Sequence, residues 1–218
     1  MHHIAVIGIS SFGYYMCKYL TETGAAVLAI DVDEAKVDSV KEIVSKAVVA
    51  DATSRDVLAN FELDEFDNVI VSVGESIDTS ILITLFLKEL KVPTITVKAF
   101  TEDHAKILDK IGATVIVFPE KDTARRVAYT MQSKNLLEYF PVGEDHGFVE
   151  TTVPPSWSGK TLMELDVRRK LGVQVVLIKE ILPENKVIVP TGDYMLKDSD
   201  VMVVVGNNRD LEKLESLE

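Results

Sequence analysis

The sequence predicts an α/β protein: a doubly wound parallel sheet followed by a small α+β domain. Short apolar runs alternate with helical patterns through about the first 140 residues, and a glycine-containing loop follows the first run. Apolar strands separated by helices indicate a parallel sheet that is covered on both faces, with right-handed crossovers. The strands are expected at residues 3–8, 26–31, 46–50, 68–73, 94–98 and 114–118.

The helices between these strands carry start and stop signals. Asp33 and Glu34 open one helix, because the helix dipole favours acids in the first turn. Gly24 and Gly112 follow helical stretches at positions that suit helix ends. Residues 77–90 are apolar almost all round, which is typical of a helix that is either wholly buried or part of a subunit interface. Both alternatives stay open, and a homo-oligomer is expected with either.

The last part of the chain differs in composition. A long helix is expected over residues 122–139, and the polar, Gly- and Pro-containing stretch 141–147 is interpreted as a domain boundary. The predicted domains are therefore residues 1–140 and residues 147–218. In the second domain, strands are expected at 148–153, 174–181, 186–189 and 201–205, and helices at 160–170 and 209–217.

The composition excludes several classes of protein. The formal net charge of −12 makes nucleic acid and acidic lipid surfaces poor partners, although backbone N–H groups could still bind a nucleotide locally. Cys17 is the single cysteine, which suits a reducing cytoplasm, and a buried apolar role is expected for it. The most apolar stretch, 81–87, is far shorter than the roughly 20 residues that span a bilayer. Any action at a membrane is therefore expected to pass through a separate membrane protein.

The loop after the first strand nearly matches the dinucleotide fingerprint G-x-G-x-x-G of Rossmann folds. It reads Gly8-Ile9-Ser10-Ser11-Phe12-Gly13. The first glycine makes the tight turn, the last allows close packing of helix and strand, and phosphate rests on the free N–H groups between them. Ser10 replaces the middle glycine, where its side chain either narrows the space for a pyrophosphate or donates a hydrogen bond to it.

Asp31 ends the second strand, where an acid about 20 residues beyond the loop binds the ribose hydroxyls of a nucleotide. A carboxylate there would repel a 2′-phosphate and so disfavours NADP. The alternative is a solvated turn acid, because the acids Asp33 and Glu34 follow directly. We include Val32 and Asp33 in the predicted site with Asp31.

Three other strand ends meet the same edge of the predicted sheet. Asp51, followed by Ala52 and Thr53, either accepts a hydrogen bond from an adenine amino group or caps the next helix. Val73 and Gly74 end the fourth strand, and the glycine lets the chain pass close to a base or ribose. Lys98 ends the fifth strand, either as a phosphate ligand or as a surface residue.

No catalytic set is evident. Phe12 occupies the place of the last glycine in the hydrolase elbow G-x-S-x-G. The four histidines are scattered without the spacing of metal ligands. We therefore expect neither an enzyme nor a metal site.

Together these residues resemble the regulator-of-potassium-conductance (RCK) proteins of the Trk/Ktr uptake-subunit type, over nearly the whole chain. The marks are Val6-Ile7-Gly8, Phe12-Gly13, Ala29-Ile30-Asp31, Asp51-Ala52-Thr53, Pro119-Glu120-Lys121-Asp122, Gly159-Lys160-Thr161-Leu162 and the strand end 198–206.

The resemblance implies a cytoplasmic regulatory subunit that binds ATP, ADP, AMP or NAD and controls an integral membrane potassium channel or transporter. Dimers would stack into a ring, commonly octameric, formed by this chain alone or mixed with a related chain. Exchange of nucleotides would change the ring's shape and gate the pore. The C-terminal domain binds a second small ligand in some members.

The resemblance also implies roles for particular residues. The loop from Gly8 to Gly13 would hold phosphate, Asp31 the ribose, and residues 51–53 the adenine side. Lys98 would face phosphate, and Glu120 would lie near the phosphate end or a bound cation, at a dimer contact. Family members that bind a γ-phosphate often carry arginine where this chain has Ser11. A weaker preference for triphosphate follows, unless a partner chain supplies the charge.

Two alternatives belong to other classes. An NAD-dependent oxidoreductase needs a proton donor beside the nicotinamide, and the second domain offers only His146 near its start. A redox-sensing transcription factor needs a basic recognition helix, and the one late basic cluster, residues 168–170, suits a solvated helix end.

Overall fold

The computed structural model describes residues 1–131, 135–182 and 185–215. By their contacts these divide into two units, Met1–Pro119 and Glu120–Glu218. Six parallel strands form the first unit's sheet, in the order β3-β2-β1-β4-β5-β6. The order reverses between β1 and β4, as in Rossmann folds, so the predicted fold class is confirmed. The strands are β1 (His3–Ile7), β2 (Ala26–Asp31), β3 (Lys46–Val49), β4 (Asn68–Val71), β5 (Ile95–Lys98) and β6 (Val115–Val117).

The central strands β1, β2 and β4 carry apolar residues on both faces, and successive residues point into different cores. In β1, Ala5 and Ile7 belong to the core on one face, while Val6 belongs to the core on the other. This alternation follows from the two-residue period of a strand. Helices cover both faces: α1 (Ser11–Glu22), α2 (Glu34–Val40), α3 (Arg55–Ala59), α4 (Ile77–Glu89) and α5 (Glu102–Ile111).

The apolar helix α4 is only partly buried within the chain. Ile83 and Leu87 lie in the core, whereas Leu82 and Leu85 are 36% and 39% exposed. Of the two alternatives for this helix, the wholly buried one is therefore wrong for the single chain.

The second unit is an α+β domain around an antiparallel sheet with the strand order β10-β9-β11-β8-β7. Trp157, Tyr139 and Met202 contribute to its core. Its strands are β7 (Leu136–Val142), β8 (His146–Thr152), β9 (Gln174–Glu180), β10 (Lys186–Ile188) and β11 (Asp200–Asn207). Its helices are α6 (Pro119–Thr130), α7 (Leu162–Leu165), α8 (Val167–Leu171) and α9 (Asn208–Glu215).

The helix expected over residues 122–139 is wrong in its last part. Helix α6 ends at Thr130, and β7 begins at Leu136; residues 132–134 lie outside the described residues. The register of β7 against β8 shifts between Leu136 and Glu138, which is the mark of a β-bulge. The bulge puts Leu136 and Tyr139 on the same buried face although they are three residues apart. Three residues is also a helical spacing, so the sequence pattern predicts a helix here.

The stretch 141–147 does not separate two domains. Pro141 pairs with Gly147 and Val142 with His146, so this stretch is the hairpin between β7 and β8. The contacts instead divide the chain between Pro119 and Glu120. This division differs from the predicted limits of 1–140 and 147–218, because β7 and α6 from Glu120 onwards fall in the second unit. The end of the helix expected at 209–217 lies outside the described residues.

No helix within the described ranges combines the length and the apolar character that crossing a membrane requires.

Candidate functional site

A cavity of about 270 Å³ opens at the carboxyl ends of β1 to β4. It lies where the strand order reverses, the position at which open α/β sheets bind their ligands. Its lining comes from the ends of four strands and from the starts of α2 and α4. The lining residues are Ile7, Gly8, Ser10, Ile30, Asp31, Val32, Lys36, Ala50, Asp51, Ala52, Thr53, Ser72, Val73, Gly74, Ser76, Thr79 and Ile83.

The first and last glycines of the loop are required by close packing. Gly8 has a φ of +89°, and a Cβ there would lie 2.4 Å from the carbonyl oxygen of Ser72. A Cβ on Gly13 would lie 2.1 Å from the carbonyl oxygen of Gly8. Because both neighbours are backbone atoms, neither can swing aside. The two glycines therefore fix how α1 starts against β1 and β4.

Ser10, at the middle position, caps α1. Its Oγ accepts a hydrogen bond from the Gly13 N–H at 3.4 Å and lies 2.6 Å from the Oγ of the fully buried Ser72. The hydroxyl is thus held by two contacts within the protein, and its predicted contact with a phosphate stays a prediction. The N–H groups of Ser11 and Phe12 lie in the first turn of α1, where no helical carbonyl is available to them. These N–H groups can bind an anion.

Asp31 is buried, with 8% of its surface exposed. Its Oδ2 accepts a 2.6 Å hydrogen bond from the Ile9 N–H, and its Oδ1 accepts a 2.9 Å bond from the Asp33 N–H. The first bond ties the glycine loop to the end of β2. The alternative of a solvated turn acid is therefore wrong. A carboxylate has about four acceptor positions, so Asp31 keeps capacity for a ligand hydroxyl.

Asp51 is exposed and makes its hydrogen bonds locally. Its Oδ1 accepts from the Thr53 hydroxyl at 2.6 Å and from the Thr53 N–H at 2.9 Å. Both bonds hold the pKa of Asp51 below its usual value, and the bond from the Thr53 hydroxyl contributes more than the bond from the N–H. Ser54, not Asp51, occupies the N-cap position of α3. The expectation that Asp51 caps this helix is therefore wrong, and its place in the cavity lining is compatible with the adenine side of a ligand.

Comparison with known families decides the relationship. The model of the TrkA-N domain matches residues 4–119, and that of the TrkA-C domain matches residues 148–218. The chain belongs to the TrkA-N/TrkA-C family. The Ktr system potassium uptake protein C of Bacillus subtilis (strain 168) is 44% identical over 211 residues, covering 97% of this chain and 95% of that protein. The Ktr system potassium uptake protein A of Vibrio alginolyticus is 39% identical, covering 98% and 96%.

Solved structures support the same fold for this TrkA-N/TrkA-C chain. The GsuK channel superposes with a TM-score of 0.70 at 19% identity, over 99% of this chain and 39% of that one. The GsuK RCK domain gives a TM-score of 0.68 at 19% identity, over 99% and 47%. The chain thus spans less than half of each of these solved chains, and at such identities the likeness concerns the fold alone.

Several predicted residues lie outside the cavity lining of the TrkA-N domain. The N–H of Ile9 donates to Asp31 and that of Gly13 to Ser10. Asp33 caps α2 by accepting a 2.9 Å bond from the Ala35 N–H. Lys98 is 7% exposed, with its Nζ 4.8 Å from the centre of the Phe100 ring. The predicted residues outside the lining are Ile9, Ser11, Phe12, Gly13, Asp33, Lys98 and Glu120. Glu120 belongs to the second unit, and its predicted role stays a prediction.

The sequence reasoning missed lining residues on two helices. Ser76 and Thr79 stand at the start of α4, so this helix directs its N-terminal end at the cavity as α1 does. The helix after β4 must begin at the same sheet edge as the helix after β1, and this rule could have identified them. Lys36, in the first turn of α2, was also missed. Its position five residues after Asp31 gave no signal by itself.

Among the residues that line the cavity, carboxylates outnumber cations. Lys36 is the one cation among the residues that line the cavity, beside the two carboxylates Asp31 and Asp51. Within the described part of the chain, no group of three or more His, Cys, Asp and Glu side chains is arranged to hold a metal ion. An anion in this cavity would therefore meet backbone N–H groups, hydroxyls and a single ammonium group.

Proposed function

We propose that this chain is a nucleotide-binding regulatory subunit that controls a membrane potassium channel or transporter. The observation that carries the proposal is the cavity at the switch point, where the glycine loop and the buried Asp31 lie side by side. The relatives at 44% and 39% identity are named as potassium uptake proteins of the Ktr system, and they match nearly the whole chain.

The ligand is an adenine nucleotide: AMP, ADP, ATP or NAD. Its phosphate lies on the free N–H groups at the start of α1, and its ribose hydroxyls donate to Asp31. One solved channel of the same fold, GsuK, is described as bound to NAD. The cavity of about 270 Å³ is slightly smaller than the usual range for ligand sites, about 300–1,000 Å³, which favours a mononucleotide or one half of NAD.

The protein acts by a ligand-dependent shift between ring shapes. A nucleotide moves such an equilibrium only by as much as its affinities for the two shapes differ. The exposed side of α4, with Leu82 and Leu85, supports assembly of several copies, alone or mixed with a related chain. The assembled ring contacts its membrane partner from the cytoplasmic side, and the protein has no enzymatic role of its own.

Calorimetry with AMP, ADP, ATP and NADH tests the binding step. We expect Asp31→Ala to weaken binding by at least about tenfold, because the ribose loses its acceptor and the loop loses its hydrogen bond to β2. Asp38→Ala is the matched control, since Asp38 is an exposed acid on α2 outside the cavity lining. Equal affinities in wild type and Asp31→Ala would contradict the site.

Ion flux tests the regulatory step. The chain is combined with its potassium transporter in liposomes, and flux is measured with each nucleotide. We expect at least two nucleotides to produce different rates. If all bind and none changes the flux, the regulatory proposal is wrong although the binding site stands.

A further inference from the structure

The ammonium group of Lys36 lies beside the predicted ribose position. Its Nζ is 3.9 Å from Oδ2 of Asp31, and the two side chains are 50% and 7% exposed. Both residues line the cavity. Lys36 sits in the first turn of α2, where the helix dipole disfavours a cation. The nearby buried carboxylate offsets this cost and keeps the ammonium group directed towards the cavity.

Neither partner of this pair is saturated by the other. A separation of 3.9 Å exceeds a hydrogen bond, so the three ammonium donors of Lys36 are not committed to Asp31. Asp31 in turn uses one acceptor position on each oxygen, for the N–H groups of Ile9 and Asp33. The pair therefore offers donors and acceptors side by side to a ligand.

A ribose diol needs both kinds of partner. Each hydroxyl has one proton to donate and an oxygen that accepts, whereas an ionised carboxylate only accepts. Asp31 can take the hydroxyl protons, and a hydroxyl oxygen then lacks a donor. Lys36 is the one cation in the lining, and it lies on the Oδ2 side of the carboxylate.

We propose that Lys36 is a specificity-determining residue that recognises the ribose diol together with Asp31, Lys36 donating to a hydroxyl oxygen and Asp31 accepting the hydroxyl protons. The inference rests on the proposed function, since it requires a nucleotide in this cavity. It assigns to α2 a direct contact with the ligand, in addition to the contacts made by the strand ends and the glycine loop.

The contact between Lys36 and the ribose is tested by a thermodynamic cycle that removes the side chain and the ligand hydroxyl separately and together. Affinities of AMP, 2′-deoxy-AMP and 3′-deoxy-AMP are measured by calorimetry for wild type and Lys36→Met. We expect AMP to bind the variant about tenfold more weakly, the size of a lost hydrogen bond to a charged group. For one of the two deoxy compounds, the affinity ratio of wild type to Lys36→Met should be at least about threefold smaller than the same ratio for AMP. That compound already lacks the hydroxyl oxygen to which Lys36 donates.

Three further measurements separate this contact from a structural effect. Lys36→Arg keeps the charge and the donors, and it should restore most of the affinity for AMP. Lys36→Gln is the substitute variant if Lys36→Met does not fold. It should show the same difference between AMP and the deoxy compound. Lys41→Met, on the exposed end of the α2 segment where Lys41 pairs with Asp38 at 2.9 Å, should bind all three ligands like wild type.

The outcomes are distinct. Suppose that AMP binds wild type, but that each deoxy compound binds more weakly than AMP by the same factor in wild type and in Lys36→Met. The ribose inference is then wrong, and the proposed function stands. If AMP, ADP, ATP and NADH all fail to bind wild type, both are wrong.

Discussion

Single residues in this protein hold the site in shape through contacts that span long stretches of sequence. Asp31 accepts from the N–H of Ile9, and Ser10 meets Ser72 through their hydroxyls at 2.6 Å. These contacts join the ends of β1, β2 and β4 at one edge of the sheet. Removing one of these side chains therefore affects both the ligand contacts and the loop that carries them.

His104 provides a second residue-scale case, away from the cavity. It is 2% exposed, its Nδ1 accepts from the Phe100 N–H at 3.4 Å, and its Nε2 has no hydrogen-bond partner among the described residues. Burial lowers the pKa of His104 below its ordinary value of 6.5. Between this lowered pKa and 6.5, the imidazole of His104 therefore binds more protons in the unfolded chain than in the folded chain.

We expect the free energy of unfolding to fall as the pH is lowered from about 7 through 6.5 towards the lowered pKa of folded His104, with His104 contributing at most about 1.4 kcal/mol per pH unit. The sign follows because more protons are bound in the unfolded state over that window. His104→Gln should flatten this part of the profile, measured by urea denaturation at several pH values. His146→Gln is the control at an exposed histidine. Parallel profiles for wild type and His104→Gln would contradict the prediction.

At the scale of elements, the close packing of the first turn of α1 against the end of β1 requires that Gly13 has no Cβ. An alanine inside a helix is favoured over glycine by about 1 kcal/mol, so Gly13→Ala would stabilise an isolated helix. In the folded chain the added Cβ would lie 2.1 Å from the carbonyl oxygen of Gly8. The clash involves backbone on both sides, and the helix must move away from the strand.

We expect Gly13→Ala to destabilise the protein by about 1–3 kcal/mol and to abolish nucleotide binding, because the N–H groups of the loop are displaced. Urea denaturation and calorimetry measure the two effects. Gly192→Ala is the matched control, since a Cβ there meets only the side chain of Met163, its Cε at 3.4 Å and its Cβ at 3.7 Å. A Gly13→Ala protein as stable as wild type would contradict this account of the packing.

At the scale of the whole molecule, the chain consists of two units, each with its own sheet and core. The cavity belongs entirely to the first unit, Met1–Pro119. Ligand binding therefore acts first on the stability of that unit, since a ligand stabilises only the structure that binds it.

A nucleotide present at 100 times its dissociation constant should stabilise the first unit by about 2.7 kcal/mol. In scanning calorimetry, we expect AMP to raise the midpoint temperature of the transition in which Met1–Pro119 unfolds. The Asp31→Ala protein, titrated to the same AMP concentration, should show a much smaller shift. An equal shift in both proteins would place the nucleotide elsewhere in the chain.

Much of this organisation could be predicted from the sequence. Residues 26–30 and 69–71 are apolar on successive positions, which is typical of strands in a sheet covered on both faces. The spacing from Gly8 to Asp31 placed the acid beside the loop. The strand β7 escaped prediction, because its bulge gives Leu136 and Tyr139 a helical spacing.

The sequence by itself determined the alternation of strands and helices in the first unit, the glycine loop and the acid at the end of β2, because these depend on local periodicity and on spacing along the chain. Only the tertiary structure decided that Ser10 bonds Ser72, that Asp31 holds the loop, and that Lys36 lies 3.9 Å from that carboxylate. Such contacts depend on how helices are rotated against the sheet and on which side chains share an edge. Packing of the whole unit sets both, and no local pattern encodes them.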